Sequence, residues 1–435
     1  MSAQLTLAPR HTQLAKDTPA SLDLLVRLQA PAQAPSPDRA PLNLCLCIDR
    51  SGSMAGDPIE QAKLAAIHLV SQLQKGDLIS VVAYSSRADL LVEPMDAAAG
   101  KYAVIQKIQS IYADGGTGLR AGWLEAAKAI APYQSKYGIS RVLLLSDGQA
   151  TDGSTPEALG AEAAELCAAG LTTSTYGLGY NFNEALMTQL GQQGGGLAFY
   201  AATADELVPY FESEFAMLSS AVGRAVSVQV TAEVVLPGGK PTKGKALVVE
   251  RLDTLAAVTN QRVGMPALIA GAESWVALRV QVPKLAAKHG VALSVDVQWQ
   301  SMDGTTHHQT VDQVVLAGAK AVETLDESAL ERLKEVEAAR LQREAVAEAR
   351  RGNWEGARSM IRGMSASAGN NAYIANVAAS LEGLAMSGDL NAFSKEVAYS
   401  SHAMTSRIAD VNEDATVLSA DRFNLRKAAQ SRSSR

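Results

Sequence analysis

The sequence predicts a doubly wound α/β domain inserted between strands of an all-β sandwich and followed by an α-helical C-terminal region. Three observations carry this. Between residues 41 and 221, apolar strand-like runs alternate with amphipathic helical ones. That alternation marks a mostly parallel sheet with helices on both faces. Between 222 and 317 the apolar period becomes two, with turn signals at Pro237-Gly238-Gly239 and Asp303-Gly304, as expected for a β-sandwich. From 320 to 418 the chain turns Ala-, Glu- and Arg-rich with helical spacing.

Residues 1–40 hold two strand-like runs, Leu5-Thr6-Leu7 and the alternating Ser21–Leu28, before a linker with Pro31, Pro35, Pro37 and Pro41. These two strands have no sheet of their own, so they are expected to pair into the sandwich. In residues 41–221, strands are expected at Leu42–Ile48, Asp77–Tyr84, Arg141–Ser146, Thr172–Leu178 and Gly196–Tyr200. Helices are expected at Pro58–Gln74, Lys101–Ile111, Gly118–Ala131, Pro156–Ala169, Asn183–Gln193 and Asp205–Ala221. Residues 222–317 read as strands at Val226–Val235, Ala246–Leu252, Ser274–Val282, Ala292–Trp299 and Thr310–Leu316. Helical runs follow at Glu327–Arg351, Glu355–Gly363, Tyr373–Ser387 and Leu390–Arg407. They are read as a small bundle packed on the sandwich. Residues 419–435 form a basic, Ser-rich tail expected to be disordered.

The chain has 435 residues, enough for several domains with sizeable cores. Its net charge of −6 gives no reason to expect nucleic acid or an anionic membrane as partner. Cys45, Cys47 and Cys167 cannot make a disulfide framework and are expected as buried free thiols. No signal peptide and no membrane-spanning run is visible, so the expected location is cytoplasmic.

The chemistry concentrates in three segments. Ile48-Asp49-Arg50-Ser51-Gly52-Ser53-Met54 ends an apolar strand with one carboxylate and two hydroxyls at alternate positions. Asp114-Gly115-Gly116-Thr117-Gly118 places a hydroxyl in a glycine-rich loop, and Leu145-Ser146-Asp147-Gly148 ends a second apolar strand with a carboxylate. Carboxylate and hydroxyl oxygens suit a hard cation such as Mg²⁺. Asp-x-Ser-x-Ser alone is weak, because short Ser/Asp loops commonly cap helices. Three such pieces in order, two of them at strand ends, are far more specific.

Together they resemble the metal-ion-dependent adhesion site of von Willebrand factor type A domains, in proteins of the bacterial intracellular type. The resemblance implies a Rossmann-like sheet for residues 41–221 and a metal set of Asp49, Ser51, Ser53, Thr117 and Asp147. It further implies that Ser51, Ser53 and Thr117 touch the ion directly while Asp49 and Asp147 act through water or hydrogen bonds. The ion is expected to be Mg²⁺, with Mn²⁺ or Ca²⁺ as alternatives, and a partner's Asp or Glu completes its shell. Arg50, Met54, Asp114 and Asp152 are expected on the partner-binding rim. Gly352-Asn353-Trp354 and its flanks loosely resemble a tetratricopeptide-type helical hairpin, without a second copy at fixed period.

The expected function is therefore that of a metal-dependent adaptor or scaffold, not an enzyme. No phosphate-cradling loop is present, and no His lies in the three segments. The alternative is a structural or assembly protein in which the sandwich and helices make the contacts and the metal only stabilises. Self-association is a further option, with Glu413 and Asp414 able by chemistry to reach a second copy's metal.

Overall fold

The computed structural model describes residues 3–32, 39–134, 138–147, 150–178, 183–201, 204–242, 246–252, 258–323, 327–369, 371–405 and 408–409. The basic tail 419–435, with Glu413, Asp414 and Gly148, lies outside these.

The chain opens with β1 (Gln4–Pro9), β2 (His11–Ala15) and β3 (Ala20–Gln29). The α/β region follows with β4 (Leu42–Asp49), α1 (Asp57–Gln72), β5 (Leu78–Tyr84), β6 (Ala88–Asp96), α2 (Ala97–Gln109) and α3 (Leu119–Ile130). It continues through β7 (Ile139–Ser146), α4 (Pro156–Ala168), β8 (Leu171–Leu178), α5 (Glu184–Gln193), β9 (Gly195–Ala201) and α6 (Ala204–Ser219). Next come β10 (Ala221–Val235), β11 (Val249–Arg251), β12 (Arg262–Gly264), β13 (Leu268–Ile269) and β14 (Glu273–Val282). Then follow β15 (Gly290–Ser301), β16 (Thr306–Gly318) and β17 (Val322–Glu323). Helices α7 (Glu327–Arg350), α8 (Trp354–Ser367), α9 (Ala372–Ser387) and α10 (Leu390–Thr405) precede a short β18 (Ile408–Ala409).

The α/β sheet has the order β6-β5-β4-β7-β8-β9. All its pairings are parallel except β5 with β6. Every residue of β4, β5, β7 and β8 is buried, because helices cover both faces. The chain winds outward from β4 through β5 to β6, then returns to β7 on β4's other side. The strand order therefore reverses between β4 and β7, and the crevice at their carboxyl ends is where such sheets bind ligands. Asp49 ends β4 and Asp147 follows β7. Strand β6 was not expected from the sequence. Pro94 has no N–H to donate, which confines such a strand to a sheet edge.

The remaining strands form two sheets face to face. One runs β1-β3-β14-β11, with β18 also on β14; the other runs β12-β10-β15-β16-β2-β17, with β13 on β10. Strand β3 pairs with β14 from Gln29↔Glu273 to Ala20↔Val282. The N-terminal strands thus join strands from beyond the α/β sheet, as expected. Leu22, Leu24, Val26 and Leu28 of β3 share a core with Val228 and Val230 of β10 and Val291, Leu293 and Val295 of β15. Inward-facing residues alternate with outward ones along β16, as a sandwich requires.

The units are fastened to one another. Arg39, before β4, grips Asp77 through two bonds of 2.7 and 2.5 Å and lies over the Phe215 ring of α6. Met302, in the β15–β16 turn, packs against the α/β core, which also takes in Ile269 of β13. Helix α7 lays Ala329, Leu333 and Val336 against Trp275 and Leu25 on the outer face of the first sandwich sheet. Helices α7 to α10 share a core that includes Val346, Ile361, Leu381 and Phe393. Thr405 at the end of α10 accepts a hydrogen bond from Gln192 of α5 at 2.8 Å.

Candidate metal centre

Strand β4 carries Asp49 to the top of the sheet with no solvent exposure. The chain then bends into a 3-10 turn at Gly52–Met54. Asp49 Oδ1 accepts from the Ser51 amide at 2.8 Å, which closes the turn. The hydroxyls of Ser51 and Ser53 lie 3.1 Å apart. Ser51 is buried and Ser53 exposed, so the pair runs from the sheet toward solvent.

The second loop is tied to the first. The Gly52 amide donates to Gly115 O at 2.9 Å, and the Asp114 amide to Arg50 O at 2.6 Å. Gly115 has φ +79, a backbone state that glycine adopts without strain. A Cβ on Gly52 would meet Gly115 O at 3.3 Å, so the crossing of the loops has little space for side chains. Thr117, 3% exposed, bonds to the third loop: its amide donates to Thr151 Oγ1 at 3.0 Å, and its carbonyl accepts from the Thr151 amide at 2.9 Å.

Asp147 is 7% exposed and follows Ser146, whose hydroxyl donates to Asp49 Oδ2 at 2.6 Å. The Tyr84 hydroxyl reaches the same oxygen at 3.3 Å. Burial raises the Asp49 carboxyl to about 6; the bonds from Ser146 and Ser51 oppose this, and the charge of Asp147 adds to it. Among the described residues Asp49 makes no ion pair. Nor do three or more His, Cys, Asp or Glu converge there on a possible metal position. A cation held at this place would depend on hydroxyl oxygens, and the donor set is hard throughout, fitting Mg²⁺ and its oxygen-seeking relatives.

The expected rim needs one correction. Met54 is fully buried and packs in the α/β core with Ile48 and Ile59, so it cannot face a partner. The 3-10 turn rotates it inward and leaves Gly52 and Ser53 outward. Arg50 is engaged rather than free: its guanidinium bonds Asp89 of β6 at 2.7 Å and lies over Tyr112, 5.9 Å from the ring centre. Asp114 and Asp152 are exposed. Asp152 also accepts from the amides of Arg120 and Ser154, at 3.1 and 3.0 Å, joining the third loop to the start of α3. Tyr112, 67% exposed and under the Arg50 guanidinium, is an exposed aromatic beside the first loop that was not expected from the sequence. Tyr84 and Ser146 were also missed. Ser146 had a signal, a lone hydroxyl closing the run Val142-Leu143-Leu144-Leu145; Tyr84 had none.

With this geometry in view, the class of the α/β unit is defined by comparison. The model of the von Willebrand factor type A domain matches residues 43–213, and this part of the chain is such a domain. An uncharacterized protein of Synechocystis sp. is 33% identical over 202 residues, which is 45% of this chain and 46% of that protein. The chain therefore spans about half the length of that relative. The solved structure of VWA2 from Sulfolobus acidocaldarius, an ArnB paralog, superimposes with a TM-score of 0.59 at 16% identity, covering 92% of this chain and 98% of that one. A von Willebrand factor type A protein from Catenulispora acidiphila gives 0.63 at 16% identity, over 87% and 89%. Both likenesses concern the fold, and both extend beyond the α/β sheet.

Proposed function

We propose that this chain is a metal-dependent protein-interaction adaptor or scaffold, and not an enzyme. Ser51, Ser53 and Thr117 would supply direct oxygen ligands to a divalent cation, Mg²⁺ first, with Mn²⁺ or Ca²⁺ as alternatives. Asp49 and Asp147 would hold it through water and through the hydroxyls. With neutral ligands nearest, the cation keeps much of its charge and attracts an outside carboxylate, an Asp or Glu of a partner protein.

One observation carries the reading. Asp49 is a wholly buried carboxylate, supplied with hydroxyl and amide donors but with no cation among the described residues. Buried charges are ordinarily paired or bound to metal. Asp49 already accepts from three donors, and a carboxylate has about four accepting directions. That leaves it room for a water on the ion and favours the indirect role. Asp114, Asp152 and Tyr112 are the exposed groups proposed to meet the partner.

A pull-down with wild type and Asp49→Ala, each in Mg²⁺ and in EDTA, tests this. A partner held by wild type in Mg²⁺ alone is the expected result. The same partner in all four lanes would move the contact to the sandwich or helices and leave the metal a stabilising role. A second copy of the chain as the captured species would make the site one of self-association.

A further inference from the structure

Asp49 is flanked in register by Tyr84 on β5, while Ile48 pairs with Leu145 on β7, which brings Ser146 alongside on the other side. Both flanking side chains carry hydroxyls, and both hydroxyls turn to the same carboxylate oxygen, Oδ2. Oδ1 is held from the other direction by the Ser51 amide. Asp49, Tyr84 and Ser146 are all fully buried. Helix α3 presses on this arrangement from one face: a Cβ on Gly122 would stand 2.3 Å from Tyr84 Cγ. The helix backbone thus packs against the ring of Tyr84.

We propose that the Ser146 and Tyr84 hydroxyls are positioning groups for the metal, holding the Asp49 carboxylate in one orientation. The inference rests on the metal-site reading above. Neither hydroxyl is among the five residues proposed to hold the ion. Ser146 dominates, since its bond is 2.6 Å against 3.3 Å for Tyr84. The adjacent Asp147 belongs to the metal set, so one strand end supplies both a holder of the ion and the clamp on its opposite carboxylate. Groups that orient a metal's ligands typically change affinity about 10–100-fold when removed.

The test is Mn²⁺ titration of the full chain, followed by calorimetry, for wild type, Ser146→Ala, Ser146→Thr, Tyr84→Phe and Asp49→Ala. Urea unfolding of each metal-free protein separates folding from binding. Ser146→Ala is expected to weaken Mn²⁺ about 10-fold or more, Tyr84→Phe about 3-fold, and Ser146→Thr, which keeps the hydroxyl, less than about 2-fold. Wild type that fails to take up Mn²⁺ would overturn the metal reading, and this inference with it. Wild type that binds while Ser146→Ala binds equally well would leave the metal site standing and overturn the clamp alone. Equal losses in Ser146→Ala and Ser146→Thr would also overturn it, because packing and not the hydroxyl would then be responsible. Should Ser146→Ala fail to fold, Tyr84→Phe, which keeps the ring, decides the matter by the same criterion.

Discussion

Two buried carboxylates, Asp49 on the α/β sheet and Glu214 on a helix packed against it, are handled in opposite ways. Near the amino end of β7, Glu214 of α6, 1% exposed, meets the Arg141 guanidinium at 2.7 Å and accepts bonds from Ser174 and Tyr176. Arg141 spends further donors on Thr172 Oγ1 at 2.9 Å and Gly195 O at 3.4 Å. The charge there is compensated within the chain. At the carboxyl end, Asp49 has a comparable set of hydroxyl donors and no guanidinium or ammonium among the described residues. A second carboxylate, Asp147, adds to its burden. The chain compensates one of these carboxylates with its own cation, and under the proposed function the other is compensated by a cation from solution. That contrast, together with the loop motif, is what supports the proposed metal site at Asp49.

Removing the internal cation should have the largest effect. Arg141→Met leaves Glu214 buried and uncompensated, and the expected loss is about 3–5 kcal/mol in urea unfolding. Asp49→Asn, made without metal, should lose no more than about 1 kcal/mol relative to wild type, since no buried charge is stranded and the amide can still bond the surrounding groups. Comparable losses in the two variants would erase the distinction between the ends.

The pH dependence sharpens the same comparison. The folded protein keeps a proton on Asp49 up to about 6, against 3.8 ordinarily. In the window between them the folded state binds more protons than the unfolded chain, so stability falls as pH rises. The contribution is complete below the ordinary value and gone above about 6. In EDTA, the Asp49 part of the decline should reach at most roughly 3 kcal/mol, and Asp49→Asn should lack it. Saturating Mg²⁺, at about 100 times its dissociation constant, should return about 2.7 kcal/mol at neutral pH. It should return less near pH 5, where the proton competes for Asp49. Superimposable profiles for wild type and Asp49→Asn would remove Asp49 as the titrating group.

How much of this was legible depends on where each residue's signal lies. Strands β4, β5 and β7 read as largely apolar runs because both faces are covered, whereas β8 reads from its β-branched Thr172, Thr173 and Thr175. Strand β2, with His11, Thr12 and Gln13, and the short β12, β13 and β17 have no such signature, because they are short pieces whose pairing is set by distant strands. Helix α2 begins earlier than expected, at Ala97, because Asp96 caps it by accepting from the Ala99 amide at 3.0 Å. The five proposed metal residues were legible because each lies in a short motif. Met54 was misassigned because the facing of a residue in a 3-10 turn does not follow from spacing. Tyr84 and Arg50 depend on cross-strand register and on a neighbouring hairpin, which no local window contains.

Arg50 offers the smallest effect. Its side chain is 12% exposed and that of Asp89 35%, an ion pair at the border between surface and interior. If Arg50 mainly pins the first loop to β6, then Arg50→Ala and Asp89→Ala should each cost about 1 kcal/mol or less. Their double-mutant cycle should show a coupling of about 0.5–1 kcal/mol. Mn²⁺ affinity in Arg50→Ala should then change less than about 3-fold, since the loop keeps the Gly52–Gly115 and Asp114–Arg50 backbone bonds. If Arg50 instead leaves Asp89 to meet the partner, the cycle should show no coupling while Arg50→Ala loses the captured protein. The sign of that pair of results decides whether the residue between the two metal-loop side chains belongs to the scaffold of the site or to its face.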